Sequence, residues 1–267
     1  MSRTLAQEIA DAYAKRESMP APSTSRDGFD LATAYAVQTE IVQARRANGR
    51  QTVGWKVGYA NKALWRALKL ETVAWAHMFD DTVRYADWND AKLSIASMFS
   101  PRIEPEIVFR LAHPPASADP IAVLEATEWY ALGFEIIDCV FPDWTFQPAD
   151  FVASRGLHAA LIVGEPVYIE PEDIAKLATD LEQFTVRLLR NNELVDQGAG
   201  TNALTSPALC VGELAEALKR RGGETLQAGD LVSTGTLTTS QPMTAGDTWI
   251  AALSGIPPSA LTLRVTA

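Results

Sequence analysis

The sequence predicts an α+β fold in which helices come first and strands dominate the rest of the chain. Apolar residues recur at helical spacing up to about residue 50, and the period changes to two from Val53 onward. The later strands do not alternate regularly with helices, as they would in a doubly wound sheet. A chain of 267 residues of which 47% are hydrophobic can bury a large core in one or two domains.

The N-terminal part of the chain is predicted to form two amphipathic helices. The first helix carries an apolar stripe formed by Leu5, Ile9, Ala12 and Tyr13. After a loop rich in Pro and Ser, Asp30 is a good N-cap for a second helix that ends near Gly49.

A strand with two unlike faces is predicted next. Its bulky face is formed by Val53, Trp55, Val57 and Tyr59. Its other face is nearly bare, because Lys56 lies there between Gly54 and Gly58. A short helix over residues 61–70 and an irregular segment around residues 75–88 are expected to follow.

Two acidic side chains share one face of the following strand, which is predicted over residues 103–111. Glu104 and Glu106 point the same way, with Cα atoms about 7 Å apart, since a strand rises roughly 3.4 Å per residue. Pro105 between them restricts this strand to an edge, an end or a bulge. Like charges this close repel unless a cation lies between them, and oxygen ligands favour Mg²⁺, Mn²⁺ or Ca²⁺ over zinc. A solvated strand face is the alternative interpretation.

The rest of the chain is predicted to contain mostly strands. Asp119 and Pro120 begin a helix that runs to about Tyr130, and a strand follows over residues 131–138. Further elements are a strand over 159–163, a hairpin around Asn191-Asn192, a helix over 206–221 and several short strands after it.

Charge and cysteine content exclude some classes of function. With 23 Lys and Arg against 33 Asp and Glu, the chain carries a formal net charge of −10, which argues against nucleic acid or an anionic membrane as a partner. Cys139 and Cys210 are far apart in the sequence, so a reducing compartment is expected rather than a disulfide framework. The start of the chain has no apolar signal-peptide core, and a cytoplasmic protein is expected.

Three ordered segments carry a family resemblance. They are Gly54-Trp55-Lys56-Val57-Gly58-Tyr59, Pro101-Arg102-Ile103-Glu104-Pro105-Glu106-Ile107 and Leu132-Gly133-Phe134-Glu135-Ile136-Ile137-Asp138. These segments resemble signatures of the 2-keto-4-pentenoate hydratase/4-oxalocrotonate decarboxylase group, which belongs to the fumarylacetoacetate hydrolase superfamily. Further similarity lies in residues 34–38, 198–200, 235–238 and 245–247, so the match runs in order over most of the chain.

The resemblance implies a metal site formed by Glu104, Glu106 and Glu135 and occupied by Mg²⁺ or Mn²⁺, with Lys56 reaching the bound substrate. It also implies a helical region, residues 1–70, that packs on a mixed β roll, residues 71–267, although residues 1–267 can also behave as one domain. Members of this group are usually homo-oligomers.

Further site residues follow from the same resemblance. Asp80 and Asp81 fall where the family has an acidic residue that faces the pocket. Trp55, Thr236 and Leu237 belong to matching motifs and are predicted to contact the substrate.

One segment departs from the family pattern. This chain reads Ser154-Arg155-Gly156-Leu157-His158 where better-known hydratases have a polar Asp-Asn-Ala-Ser stretch. His158 would add an imidazole that titrates near neutrality, and either His158 or the Asp80/Asp81 pair is expected to carry a proton or orient water. The loss of polar side chains predicts a substrate that is more apolar at its far end than a dicarboxylate.

These expectations together indicate a metal-dependent lyase of aromatic catabolism. It would hydrate a small 2-hydroxy-2,4-dienoate or 2-oxo-enoate to a 4-hydroxy-2-oxo acid. Decarboxylation of a 2-oxo-3-enedioate and hydrolysis of an acylpyruvate are alternatives, because both also require a stabilised enolate. The non-enzyme alternative is a catalytically silent protein that binds a keto acid or a catalytic partner.

Overall fold

The structure is a computed structural model that describes residues 3–267. Its helices are α1 (Leu5–Lys15), α2 (Pro22–Ser25), α3 (Leu31–Ala47), α4 (Lys62–Leu68), α5 (Pro120–Glu125), α6 (Pro148–Ala153), α7 (Ile174–Gln183) and α8 (Pro207–Arg221). Its strands are β1 (Thr52–Gly58), β2 (Ala74–Phe79), β3 (Val83–Tyr85), β4 (Asp90–Ser94), β5 (Pro101–Leu111), β6 (Thr127–Asp138), β7 (His158–Val163), β8 (Val167–Tyr168), β9 (Thr185–Arg190), β10 (Glu193–Ala199), β11 (Leu231–Ser233), β12 (Gln241–Pro242), β13 (Thr248–Ser254) and β14 (Ala260–Thr266).

Local signals place the two main N-terminal helices where the sequence predicts them. The Thr4 side chain caps α1, and the Asp30 side chain accepts a hydrogen bond from the Thr33 amide at the start of α3. A buried glutamine attaches α3 to the rest of the fold, because the Gln38 amide donates to the carbonyl oxygens of Trp75 and Val152 at 3.1 and 3.0 Å. The helical region therefore packs on β2 and α6 through satisfied polar groups as well as apolar ones.

Two mixed sheets form the rest of the protein, which confirms the predicted α+β class. The larger sheet has nine strands, in the order β2-β1-β11-β5-β6-β7-β3, with β12 also paired to β5 and β8 to β6. The smaller sheet has five strands, in the order β10-β9-β13-β14-β4. Parallel and antiparallel pairs occur in both sheets.

Pro105 lies opposite a gap in the strand pairing of β5. On one side β5 pairs with β6, while on the other side it pairs first with β12 and then with β11. The intervening segment, residues 234–240, crosses this gap, and the Leu237 amide donates to the Pro105 carbonyl oxygen at 2.9 Å. A residue in a strand points its N and its carbonyl to the same side, so the missing N–H of Pro105 faces this gap. The prediction of an edge, an end or a bulge is therefore wrong, because Pro105 lies in the middle of an interior strand and is accommodated by this gap.

Two element predictions are wrong. The segment around residues 75–88 is not irregular, because it contains β2 and β3. The helix that begins at Pro120 ends at Glu125 rather than near Tyr130, since Trp129 and Tyr130 pair with Arg110 and Phe109 of β5. Long-range pairing within a 12-residue strand outweighs the local helical signal there.

Strand β1 belongs to the interior of the larger sheet, although its residues fall inside the predicted helical region 1–70. The division into residues 1–70 and 71–267 stays a prediction, as does its one-domain alternative. Cys139 and Cys210 are buried free thiols. Within residues 3–267, no helix combines the length and apolar character needed to cross a membrane.

Candidate metal and substrate site

Three carboxylates converge on the side of the larger sheet that carries Lys56. Glu104 and Glu106 lie two residues apart on β5, and Glu135 lies directly opposite Glu104 on β6. One carboxylate oxygen from each residue lies within 4.8 Å of the others. Because all three donors are carboxylate oxygens, this cluster suits a hard divalent ion.

One carboxylate oxygen of Glu106 accepts hydrogen bonds, whereas the other accepts none from residues 3–267. Its Oε2 atom accepts hydrogen bonds from the Ser233 hydroxyl and, at 3.0 Å, from the Gly235 amide. Its Oε1 atom is buried and has no hydrogen-bond partner among the residues that the structure describes. A buried acceptor without a partner costs free energy, so a cation at this position would satisfy it.

Glu135 is held between a lysine and a histidine. Lys56 Nζ lies 2.8 Å from Glu135 Oε2 and donates to the Gly156 carbonyl oxygen at 2.9 Å. His158 Nδ1 lies 2.8 Å from Glu135 Oε1. All of these side chains are buried, and Gly156 leaves room for the lysine, because a Cβ there would lie 2.7 Å from Lys56 Cδ.

Burial and mutual repulsion change how these groups ionise. Burial raises the pKa of Glu104 and of Glu106 to about 8. The neighbouring carboxylates act in the same direction, and the Lys56 ammonium acts against it. Burial by itself would lower the pKa of Lys56, but Glu135, Glu104 and Glu106 raise it above its ordinary value. Lys56 is therefore a permanent ammonium at neutral pH.

The raised carboxyl pKa values predict that the metal-free protein loses stability as pH rises. An unfolded glutamate titrates near 4.5 and the folded groups near 8, so the folded state holds extra protons between these values. The stability from this difference is complete below pH 4.5 and is lost as pH rises through about 8. We expect the melting temperature, measured with a chelator, to fall over this range, and added Mg²⁺ to remove most of the fall. An equal pH dependence with and without Mg²⁺ would contradict the assignment.

His158 lies behind Glu135 rather than in the cavity. A register shift between Ile136 and Ile137 in the pairing of β6 with β7 accompanies this placement. Its Nε2 atom lies 2.9 Å from the Thr82 hydroxyl, and its ring is buried. Burial, followed by the nearby Lys56 ammonium, lowers the pKa of His158 well below its ordinary value. Burial and the nearby cation thus disfavour the charged ring, which argues against the expectation that His158 titrates near neutrality.

The contacts of His158 with Glu135 and with Thr82 lead us to expect that His158 and Thr82 orient Glu135 for a metal ion. His158→Gln and Thr82→Val should each weaken Mn²⁺ binding, by about tenfold to a hundredfold, as is typical for groups that orient a metal ligand. Calorimetric titration of the metal-free protein with Mn²⁺ measures this loss of affinity. Thr39→Val, which removes a hydroxyl bonded to the Tyr35 carbonyl on α3, is the matched control. Unchanged Mn²⁺ affinity in both test variants would show that the contact has no such role.

The two aspartates are not brought together with the carboxylate cluster. Asp81 forms ion pairs with Arg45 and, at 3.1 Å, with Arg50, while Asp80 accepts a hydrogen bond from the Gln51 amide at 3.2 Å. Neither aspartate lines the cavity above Lys56. Their predicted role in proton transfer therefore stays a prediction without support from the geometry.

Two of the four predicted substrate contacts, Lys56 and Thr236, line the cavity. Leu237 is fully buried beside Pro105, and Trp55 points to the opposite face of β1 from Lys56. On that face the Trp55 indole N–H donates to the Asp230 carboxylate at 3.0 Å, and the Trp55 ring packs against the His77 ring.

The cavity above the cluster has a volume of about 680 Å³. Lys56, Glu104 and Glu106 lie at its base. Its walls include residues that the sequence did not point to, among them Tyr59, Arg102 and Phe151. Arg102 could have been found, because it shares a face of β5 with Glu104 and Glu106. Phe151 gave no local signal, since it reaches the cavity from α6.

Comparisons with known proteins agree with this geometry. Residues 69–264 match the C-terminal domain of fumarylacetoacetate hydrolase. The chain is 26% identical over 257 residues to 2-hydroxyhexa-2,4-dienoate hydratase of Comamonas testosteroni, covering 95% of this chain and 94% of that protein. It is 30% identical over 233 residues to 2-hydroxypent-2,4-dienoate hydratase of Pseudomonas putida, covering 83% of this chain and 99% of that protein.

A solved structure also matches over almost the whole chain. It is 4-oxalocrotonate decarboxylase from Pseudomonas putida G7, complexed with magnesium and adipate, with a TM-score of 0.86 and 25% identity over 99% of this chain and 100% of that one. The relatives are enzymes named for hydration or decarboxylation. With a matched region of this extent and a shared fold, the chain belongs to the fumarylacetoacetate hydrolase family, as its three ordered motifs predict.

Proposed function

We propose that this protein is a divalent-metal-dependent hydratase that converts a 2-hydroxy-2,4-dienoate into a 4-hydroxy-2-oxo acid. The observation that carries the proposal is the cluster formed by half-buried Glu104 with buried Glu106 and Glu135, beside a charged Lys56 at the base of an open cavity. The names of the relatives support the choice of reaction, because several are hydratases of short dienoates.

The cluster fits Mg²⁺ or Mn²⁺. It offers oxygen ligands only, and the free Oε1 atom of Glu106 is already oriented by the contacts of Oε2. A bound divalent ion would supply positive charge that offsets the carboxylates and stabilises negative charge on the substrate oxygens. The magnesium in the related decarboxylase structure supports this choice.

Lys56 holds the substrate rather than removing a proton from it. Its ammonium has three N–H groups, of which one donates to Gly156 and one is directed at Glu135. The third can donate to a substrate carboxylate or 2-oxygen in the cavity. Because neighbouring carboxylates raise the pKa of Lys56, it does not serve as a general base.

The reaction consists of a tautomerisation and an addition. The 2-hydroxyl of the dienol loses its proton and C5 gains one, which gives a 2-oxo-3-enoate. Water then adds its oxygen to C4 and a hydrogen to C3, which gives the 4-hydroxy-2-oxo acid. The side chains at the base of the cavity orient the carboxylate end of the substrate through both steps.

An absorbance assay with a panel of substrates tests the proposal. The panel contains 2-hydroxydienoates, 2-oxo-3-enedioates and acylpyruvates, each with Mg²⁺ or Mn²⁺ and again with a chelator. Metal-dependent loss of dienoate absorbance with formation of the 4-hydroxy-2-oxo acid is the expected result. Turnover of 2-oxo-3-enedioates alone would establish decarboxylation, which the decarboxylase relatives favour as the second candidate. No turnover of any panel member would favour a binding protein.

The same proposal includes a homo-oligomer in the cytoplasm that takes part in aromatic catabolism. Exposed aromatic side chains next to the edge strand β3 are consistent with a surface that another copy covers, since Trp88 is 87% and Tyr85 is 58% exposed. Light scattering of the purified protein measures the oligomeric state.

A further inference from the structure

One side of the cavity is formed by apolar side chains, which we call the apolar wall. Its members are Tyr59, Ile137, Phe146, Phe151 and Leu157. Ile137, Phe151 and Leu157 are nearly inaccessible to solvent. A wall of this kind stabilises a ligand by removing apolar surface from water.

The apolar wall begins directly beside the reacting end of the cavity. The Phe151 ring lies 5.0 Å from Lys56 Nζ and packs edge-on against Tyr59, with ring centroids 5.1 Å apart. The ring occupies space that only a glycine leaves open, because a Cβ on Gly58 would lie 2.2 Å from Phe151 Cζ. A substrate held by Lys56 therefore contacts this wall along its carbon chain.

Unusual backbone conformations place two members of the wall. Tyr59 and Leu157 have φ values of 59°, in the left-handed region that bulky residues rarely adopt. Arg155 and Gly156, with φ of 55° and 65°, complete a run of three such residues ending at Leu157. This run directs the Gly156 carbonyl at Lys56 and the Leu157 side chain into the cavity. Strain of this kind persists where the surrounding structure holds it and is concentrated at functional sites.

Within the part of the chain that the structure describes, the cavity also contains one cation besides Lys56 and one carboxylate outside the cluster. Arg102 is the cross-strand neighbour of Ile137, stacks on Trp144 at 4.3 Å and lies 3.5 Å from the Ser240 hydroxyl. Asp196 also lines the cavity and accepts a hydrogen bond from the Thr239 amide at 2.9 Å.

The charge balance of the cavity disfavours a second substrate carboxylate. The four carboxylates of Glu104, Glu106, Glu135 and Asp196 would be balanced by Lys56, Arg102 and a divalent ion. The first carboxylate of a substrate then already leaves one net negative charge, and a second carboxylate would add to it.

From these observations we propose that the preferred substrates are 2-hydroxy-2,4-dienoates that carry an apolar substituent on C5, either an alkyl chain of several carbons or a ring. The apolar wall would bind this substituent. The inference rests on the proposed hydratase activity for the reacting end of the substrate. It goes beyond the pentadienoates and hexadienoates for which relatives are named, because a five-carbon acid would leave most of the wall uncovered.

Turnover of a homologous series tests the preference. The series runs from the unsubstituted pentadienoate through C5-methyl and C5-propyl to C5-phenyl, with the heptadiene-1,7-dioate as the dicarboxylate member. Each buried methylene improves kcat/KM about three- to fourfold, so the C5-propyl compound should exceed the parent by about 30- to 60-fold. Leu157→Ala and Phe151→Ala should each flatten this dependence on chain length. Ile121→Ala, which shortens an exposed apolar side chain on α5, is the matched control and should keep the full dependence.

A binding series separates this inference from the proposed activity. Saturated 2-oxo alkanoates of increasing length cannot be hydrated, and calorimetry with Mg²⁺ measures their affinity whether or not any dienoate is turned over. Affinity that rises with length in the natural protein and less steeply in Leu157→Ala supports the apolar wall. Affinity that does not rise with length overturns it. A preference for the dicarboxylate that disappears in Arg102→Gln also overturns it, because Arg102 would then be the group that recognises the far end.

Discussion

Glu106→Gln is expected to abolish turnover while stabilising the metal-free protein. The substitution keeps the shape of the side chain and its acceptor for Ser233 and Gly235, but it removes one of three buried carboxylates that repel each other. Affinity for Mn²⁺ should fall by about a hundredfold or more, because a neutral amide replaces a charged ligand. Turnover should fall at least as much.

The stability of the Glu106→Gln variant is expected to rise, whereas its activity and its metal affinity fall. A glutamate with a pKa of about 8 in the folded state destabilises the fold increasingly from pH 4.5 to 8, whereas glutamine does not titrate. The variant should therefore melt at a higher temperature than the metal-free natural protein, by a margin that grows over this pH range. Glu128→Gln, at an exposed ion pair with Arg110, is the control and should change neither metal affinity nor turnover. A Glu106→Gln protein that binds Mn²⁺ normally would remove Glu106 from the ligand set.

Lys56→Met is expected to separate metal binding from catalysis. The variant fills most of the same volume but lacks the ammonium that lies beside Glu135 and reaches the cavity. Turnover should fall by roughly a hundredfold to a thousandfold, the usual effect of removing a group that stabilises developing charge. Mn²⁺ should bind at least as tightly as before, because a cation next to the ligands has been removed.

Steady-state kinetics and metal titration of the same preparation check this second prediction. Lys62→Met, which removes an exposed lysine over the Trp65 ring, is the matched control. If Lys56→Met retained more than half of the natural activity, Lys56 would have no role in holding the substrate. If it lost Mn²⁺ binding together with activity, Lys56 would act by supporting the fold around Glu135.

The convergence of Glu104 and Glu106 could be predicted from the sequence because two residues at a period of two share a face of one strand. Glu135 joined them only through the family resemblance, since its place opposite Glu104 depends on the register of β6 on β5. The cap of α3 at Asp30 and the hairpin between β9 and β10 follow from equally local chemistry. Each of these features depends on residues that are close together in the sequence or on one strand pair.

The features that the sequence did not reveal depend on distant contacts. His158 reaches Glu135 only through the register of β7 on β6, which no local pattern specifies. Asp81 pairs with arginines of α3 and the loop after it, and neither partner is visible from the motif around residue 81. The limits of α5 were misjudged for the same reason, because pairing with β5 decides where β6 begins.

The segment that crosses the gap beside Pro105 links the two ligands of this site in one thermodynamic cycle. Ser233, which directly precedes this segment, and Gly235 within it donate to Oε2 of Glu106, while Thr236 and Thr239 line the substrate cavity. Metal and substrate therefore act on the same short stretch of backbone. Whatever factor the ion contributes to substrate affinity, the substrate must contribute to ion affinity, since the cycle closes. Where the ion raises substrate affinity, an apparent metal requirement measured at saturating substrate will be lower than that of the free protein by the same factor. Substitutions in residues 234–240 are then expected to change both affinities.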